Sequence, residues 1–138
     1  MITGIVIAAV VFAIITYFYL AMKKLKNTPM APDSDKIKVL TEQNFNHQMK
    51  KGVILIDFWA SWCAPCKMMV PVLNELSELL PANQSIGKID VEKFPTLAAK
   101  FNIRGIPTMI MFLDGKEINR FVGMKTKDFL LKEMAKVG

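Results

Sequence analysis

The first apolar stretch of the chain differs in kind from the others. Ile2 to Met22 is a run of 21 residues without a charged side chain, closed by Lys23, Lys24 and Lys26. Roughly 20 helical residues at about 1.5 Å each cross a hydrocarbon core of about 30 Å, so residues 1–22 read as a single transmembrane anchor in a lipid bilayer. Tyr17 and Tyr19 sit near its end, where interfacial aromatics are favoured. A cleaved signal peptide would have a basic start, an apolar core of about 7–15 residues and a small-x-small cleavage site. Here no basic side chain precedes the run, the run is longer, and Tyr17 to Met22 offers no such site. Gly4 with Ala8 and Ala9 with Ala13 form small-xxx-small pairs, which can join helices but are common on lipid-facing surfaces. Residues 23–34 read as a juxtamembrane linker. Its part Asn27 to Ser34 has two prolines and little apolar content, so it is expected to be stiff and to hold the domain just off the bilayer.

From residue 35 to 138 the pattern changes to short apolar runs between polar turns. Ile37 to Leu40 predicts a short strand, and Thr41 can cap a helix to about Lys51. Val53 to Trp59 is a dense apolar run after Gly52, as in a strand buried on both faces. A long helix follows from about Ala64 to Leu80, with a kink expected at Pro71. Ile86 to Val91 predicts another strand, and Pro95 to Phe101 a helix started by proline. Thr108 to Phe112 and Glu117 to Phe121 read as a hairpin turning at Asp114-Gly115. Thr126 can cap a last helix to about Lys136. The order β α β α β α β β α implies an α/β fold with a mixed central sheet flanked by helices, its last two strands antiparallel.

Composition sharpens this in three respects. A chain of 138 residues suits one domain of roughly 100 residues plus an extra element, and the high hydrophobic share of 52% is concentrated in the first run. The net charge is +6, but the basic residues alternate with acids rather than clustering with aromatics, which argues against a nucleic-acid partner. The only cysteines are Cys63 and Cys66, which close a loop too short to staple a fold, so the pair is chemical or metal-binding. A zinc site needs about four ligands, and one CxxC with the distant His47 falls short, so no metal is expected. His47 itself reads as a surface residue, and the ten methionines are scattered, with Met68 and Met69 packing or lining the region after the cysteines.

The chemistry centres on Trp59-Ala-Ser-Trp-Cys-Ala-Pro-Cys-Lys67, where a strand ends and a helix begins. Free N–H groups and the positive end of the helix dipole stabilise a thiolate at Cys63. Cys66 stands one turn behind on the same face and can attack a mixed disulfide formed at Cys63. Pro65 lacks a donor, which the first helical turn tolerates. Asp57, inside the buried run Val53 to Trp59, should have a raised pKa from desolvation and suits a group that takes a proton from Cys66 and returns it. The blander reading is an exposed strand end. Lys88 on the next strand is its candidate neighbour. Pro107, in Gly105-Ile-Pro-Thr108, can form a cis turn before a strand, although from the residues alone a trans proline at a strand's first position is commoner.

From about Asp35 to Val137 the sequence resembles the thioredoxin family. The shared stretches are Asp57-Phe-Trp-Ala, Trp62-Cys-Ala-Pro-Cys-Lys67, Pro71, Lys88-Ile-Asp90, Ile103-Arg-Gly-Ile-Pro-Thr108, Gly115 and Gly123. The resemblance implies a thioredoxin fold and a protein-disulfide reductase whose redox group is the Cys63–Cys66 disulfide, with no other cofactor. It implies Cys63 as nucleophile, Cys66 as resolving thiol, Asp57 as buried proton acceptor and Pro107 as a cis-proline opposite the disulfide. Substrate contacts would fall to Trp62, Ala64, Pro65 and Ile106, with Trp59, Lys67 and Lys88 in support. The implied partners are client proteins with disulfides and a thioredoxin reductase or membrane electron donor, the chain itself being a monomer. Two features depart from the family. Ala64 stands where glycine is usual, and the soluble form lacks the anchor. The absence of histidine between the cysteines points to a reductant near about −270 mV rather than an oxidant near about −120 mV.

Lysines on the C-terminal flank of the anchor place the domain in the cytoplasm by the positive-inside tendency. The extracytoplasmic face is the alternative, because many anchored relatives of this fold work there. A dedicated extracytoplasmic reductant, for example in cytochrome c maturation, would often carry an insertion that is missing between Ser85 and Thr108. A membrane-tethered binding module without turnover is the third reading, and the intact cysteine pair with Asp57 and Pro107 speaks against it.

Overall fold

In the computed structural model, which describes residues 1–138, the N-terminal apolar run is helical and the helix outlasts it. Helix α1 spans Ile2–Asn27, 26 residues, and none of its side chains is buried. At about 1.5 Å per residue it is about 39 Å long, enough to cross a bilayer by length and composition. It stops where Thr28, placed before Pro29, takes an extended conformation (ψ 131°) that proline imposes on its predecessor.

The proline-containing segment after α1, expected as a stiff linker, is bonded to the domain. Lys67 Nζ donates to the carbonyls of Lys26 and of Thr28, the latter at 2.7 Å, so a cation meets the orphan acceptors at the helix C-terminus. Asn74 then donates to the Pro32 carbonyl (3.0 Å) and accepts from the Ser34 N–H (2.8 Å). The segment is bonded down along the helix that carries Lys67 and Asn74.

The sheet has five strands: β1 Ile37–Val39, β2 Val53–Trp59, β3 Gln84–Asp90, β4 Thr108–Leu113 and β5 Lys116–Val122, in the order β1-β3-β2-β4-β5. β3 pairs parallel with β1 and β2, while β4 pairs antiparallel with β2 and β5, the mixed sheet the element order implied. Between the strands lie α2 Phe45–Gln48, α3 Ala64–Leu79 and α4 Pro95–Lys100, and α5 Lys127–Ala135 ends the fold. α2 is much shorter than the helix expected from Thr41 to Lys51. Thr41 nevertheless caps the turn that leads into it: Thr41 and Asn44 exchange side chain–backbone hydrogen bonds (2.8 and 3.3 Å) in a capping-box pattern, and the Phe45 N–H donates to the Thr41 carbonyl at 3.0 Å. The β4–β5 hairpin turns at Asp114 and Gly115, both at positive φ (48° and 84°), as a two-residue type I′ turn requires. Thr126 caps α5, accepting from the Phe129 N–H at 3.2 Å. α3 runs through Pro71 without ending.

Alternation along β2 sorts its side chains between two cores. Val53 and Leu55 meet Met69, Leu73 and Leu76 of α3, Leu130 and Met134 of α5, and Met109 and Met111 of β4. Ile54, Ile56 and Phe58 meet Phe45, Met49, Leu97, Ile110 and Phe112 on the other face. β2 therefore has no solvent face. We expect Leu73→Ala, at a fully buried position, to cost about 2–5 kcal/mol of domain stability. Urea unfolding followed by fluorescence of Trp59 and Trp62 would measure it, and a loss below about 1 kcal/mol would contradict this packing.

Candidate active site

Where β2 ends, the chain turns through Ala60 to Trp62 and enters α3 with Cys63 as its N-cap. Cys63 Sγ accepts a hydrogen bond from the Cys66 N–H at 3.2 Å, so the sulfur lies against the free donors of the first helical turn. Pro65 sits in that turn, where its missing N–H leaves no gap. Cys63 and Cys66 are joined as a disulfide, with Cα atoms 5.2 Å apart. Both cysteines are buried and pack with Ala60, Trp59, Val91 and Ile106. The Ile106–Pro107 peptide is cis, as the resemblance implied and against the trans form that the residues alone favoured. The Ile106 carbonyl oxygen is 3.8 Å from Cys63 Sγ.

Asp57 is buried, not an exposed strand end. It lies on the α3-facing side of β2, 1% exposed, and its Oδ1 has no hydrogen-bond partner. Burial pushes its carboxyl from 3.8 up to about 7, with Lys88 pulling it down and Asp33 pushing it up. Lys88 is its register partner across β2 and β3. The Lys88 ammonium is ion-paired to Asp33 at 2.7 Å and sits 4.7 Å from the centre of the Trp59 ring. Lys67, expected in support of the cysteines, donates to the carbonyls of Lys26 and Thr28 at the end of α1. His47 is exposed, Met69 is core and Met68 is half-exposed. No group of three His, Cys, Asp or Glu side chains is arranged to hold a metal ion.

Cys63 opens on a groove of about 560 Å³. One wall is Trp62, Ala64, Pro65 and Ile106, the residues expected to touch substrate, and the other is Tyr19, Met22, Lys23 and Lys26 of α1. The α1 wall was not anticipated from sequence, although its spacing of three, four and seven residues marks one face of a helix. Two more residues were missed. Glu92 accepts from Trp62 Nε1 at 2.6 Å, and Asp33 holds Lys88. Neither has a local sequence signal, because each partner is 30 or 55 residues away.

A disulfide-forming cysteine pair at a helix start on the end of a central strand, beside a buried carboxyl, defines a thiol–disulfide oxidoreductase. Comparison with known proteins agrees. The family model for thioredoxin matches residues 36–136. The chain is 44% identical over 100 residues to a thioredoxin of Chlamydia trachomatis, covering 72% of this chain and 97% of that one. It is 43% identical over 97 residues to a thioredoxin of Staphylococcus saprophyticus, covering 70% and 93%. The solved structure of a mutant thioredoxin from Halobacterium salinarum superposes with a TM-score of 0.68 at 30% identity, covering 77% of this chain and 94% of that one. The chain belongs to the thioredoxin family and is a disulfide reductase whose redox group is the Cys63–Cys66 disulfide. Helix α1 lies outside the matched residues.

The raised Asp57 carboxyl fixes the sign of a stability effect. Well below its unfolded value of 3.8 the residue is protonated folded and unfolded, and costs nothing. As pH rises toward about 7 the unfolded carboxyl ionises while the folded one keeps its proton, so stability falls. Asp57→Asn in the oxidised protein should therefore be more stable than the parent at pH 8, by an amount on the order of 4 kcal/mol at most. The gain should shrink to below about 1 kcal/mol near pH 4. Denaturant unfolding at both pH values checks this, and a gain independent of pH would contradict it.

Proposed function

We propose that this chain reduces disulfides in client proteins from a membrane-anchored position. The observation that carries the chemistry is the seating of Cys63 Sγ on the first turn of α3, bonded to Cys66, with the unpartnered Asp57 carboxyl buried under the same helix. In the reduced protein, the Cys63 thiolate attacks one sulfur of a client disulfide. A mixed disulfide forms and the client's other sulfur leaves as a thiolate. The Cys66 thiol gives its proton to Asp57 and attacks Cys63 Sγ, which expels the client's second thiolate. The client has gained two electrons, and the chain is left with its Cys63–Cys66 disulfide and a protonated Asp57. A carboxyl near 7 is partly ionised at neutral pH, which suits it to taking that proton and returning it. A reductase or a membrane electron donor then restores the dithiol.

Client segments are taken to run in extended form past Ile106 and the Pro107 turn, with Trp62, Ala64 and Pro65 on the other side of Cys63. Tyr19 and Met22, where the anchor ends nearest the domain, border the same groove, which favours thiols close to the bilayer surface and clients held there. Residues 1–22 act as the anchor, 23–34 as its connection and 35–138 as the catalytic domain. The lysine flank favours a cytoplasmic position for that domain.

Cys66→Ser should trap clients as mixed disulfides on Cys63, visible as adducts on non-reducing gels that vanish with reductant. Cys63→Ser should trap none. Absence of adducts on an accessible Cys63 would remove the reductase reading. For the orientation, a membrane-impermeant thiol reagent should modify Cys63 in lysed cells and not in intact ones, and labelling of intact cells would reverse it.

A further inference from the structure

Asp33 precedes the stretch that matches the thioredoxin family, residues 36–136, yet its carboxylate is built into the site. Lys88 Nζ donates to Asp33 Oδ1 at 2.7 Å, in a pair whose lysine side chain is 2% exposed and whose aspartate is 29% exposed. Asp33 is clamped from both neighbours. The Asn74 side chain donates to the Pro32 carbonyl and accepts from the Ser34 N–H, so one residue of α3 fixes the backbone on either side of it. Ser34 Oγ also donates to Glu78 Oε1 at 3.2 Å, and Lys36 pairs with the same carboxylate at 2.6 Å. The segment is held at several points along α3 and cannot swing away without losing them.

The partner of Asp33 is the cation beside Asp57. Strand register sets Lys88 directly across from Asp57, on the side of the sheet that faces α3. From the other elements packed there, β4 contributes the apolar Met109 across from Asp57, and α3 contributes the disulfide of Cys63 and Cys66. The Lys88 charge favours the ionised form of Asp57, and with no other partner in a low-dielectric interior it would do so more strongly. With Asp33 on the same ammonium, the pair is neutral as a whole.

We propose that Asp33 is a positioning residue of the redox site: bonded to Lys88, it holds that ammonium and offsets its charge, so the segment joining the anchor to the domain sets how readily Asp57 exchanges its proton. Asp33 touches neither client nor sulfur and acts through Lys88. Its pull on Asp57 is upward and that of Lys88 is downward, as the geometry requires. The functional weight of this coupling rests on the acceptor role of Asp57 given above.

The test uses the full chain in nanodiscs, with two readouts against pH. One is the carboxyl carbon-13 resonance of Asp57, assigned by its loss in Asp57→Asn. The other is the rate at which a preformed mixed disulfide on Cys63 is resolved by Cys66. Asp33→Asn keeps the shape and removes the charge, and should move the Asp57 midpoint to lower pH than in the parent. Asn74→Ala leaves Asp33 intact and releases its clamp, and should move the midpoint the same way, which keeps the test open if the first variant misfolds. Lys88→Met should move it to higher pH. Opposite shifts from the two ends of one ion pair are not what a general loosening of the fold produces. An Asp57 midpoint in Asp33→Asn equal to or above that of the parent would overturn the proposal. If the carboxyl midpoint moves while the resolution rate does not follow, the coupling by Asp33 stands and the acceptor role of Asp57 falls.

Discussion

The burial of β2 on both faces is the constraint from which the site follows. A strand with one solvent face could carry an aspartate at no cost by pointing it outward. β2 has no such face, because α3 and α5 cover one side and α2 and α4 the other. Alternation then commits Asp57 to the α3 side with Val53 and Leu55, and a slip of one residue would send all three to the opposite core. The same strand ends two residues later, and its end delivers the chain into the turn that places Cys63 on the first N–H groups of α3. Carboxyl and sulfurs are thus brought under one helix by the path of a single strand.

Electrostatics then decide how that carboxyl behaves. Taking an unpaired carboxylate out of water costs far more than protonating it, so the group keeps its proton to about 7. Lys88 works against this, but it too is buried and needs a counter-ion of its own. The counter-ion comes from the segment that follows the membrane-length helix. Lys67, one residue after Cys66, bonds to the end of that same helix. The redox helix α3 therefore touches the N-terminal segment at Lys67, Asn74 and Glu78, and the last turns of α1 border the groove over Cys63. In this chain the segment that precedes the family's domain is hydrogen-bonded along the redox helix, and the end of α1 borders the groove over Cys63.

Much of this is legible in the residues, for reasons that are local. The apolar run of β2, the proline that starts α4, the Asp-Gly turn and the Thr126 cap each act through neighbours within a few positions, and each element forms where its signal stands. α2 falls short of its expected length, yet the cap expected at Thr41 forms, through reciprocal side chain–backbone bonds with Asn44. The cysteine pair and the burial of Asp57 follow from spacing and apolar context. The cis form of the Ile106–Pro107 bond does not, and only the family likeness suggests it. Asp33 reads as one more polar residue of a linker. Its partner is 55 positions away, and nothing in the pattern of either segment links them until the sheet sets Lys88 beside Asp57.

The start of α3 sets the two cysteines in unequal positions, Cys63 bordering the groove and Cys66 one turn into the helix. The direct measurement is competitive alkylation of the reduced full chain with limiting iodoacetamide near neutral pH, with the modified residue located by mass spectrometry. Cys63, which opens on the groove, should take the label while Cys66, behind it and under the helix, stays unmodified. Equal labelling, or Cys66 labelled first, would contradict a nucleophilic role for Cys63.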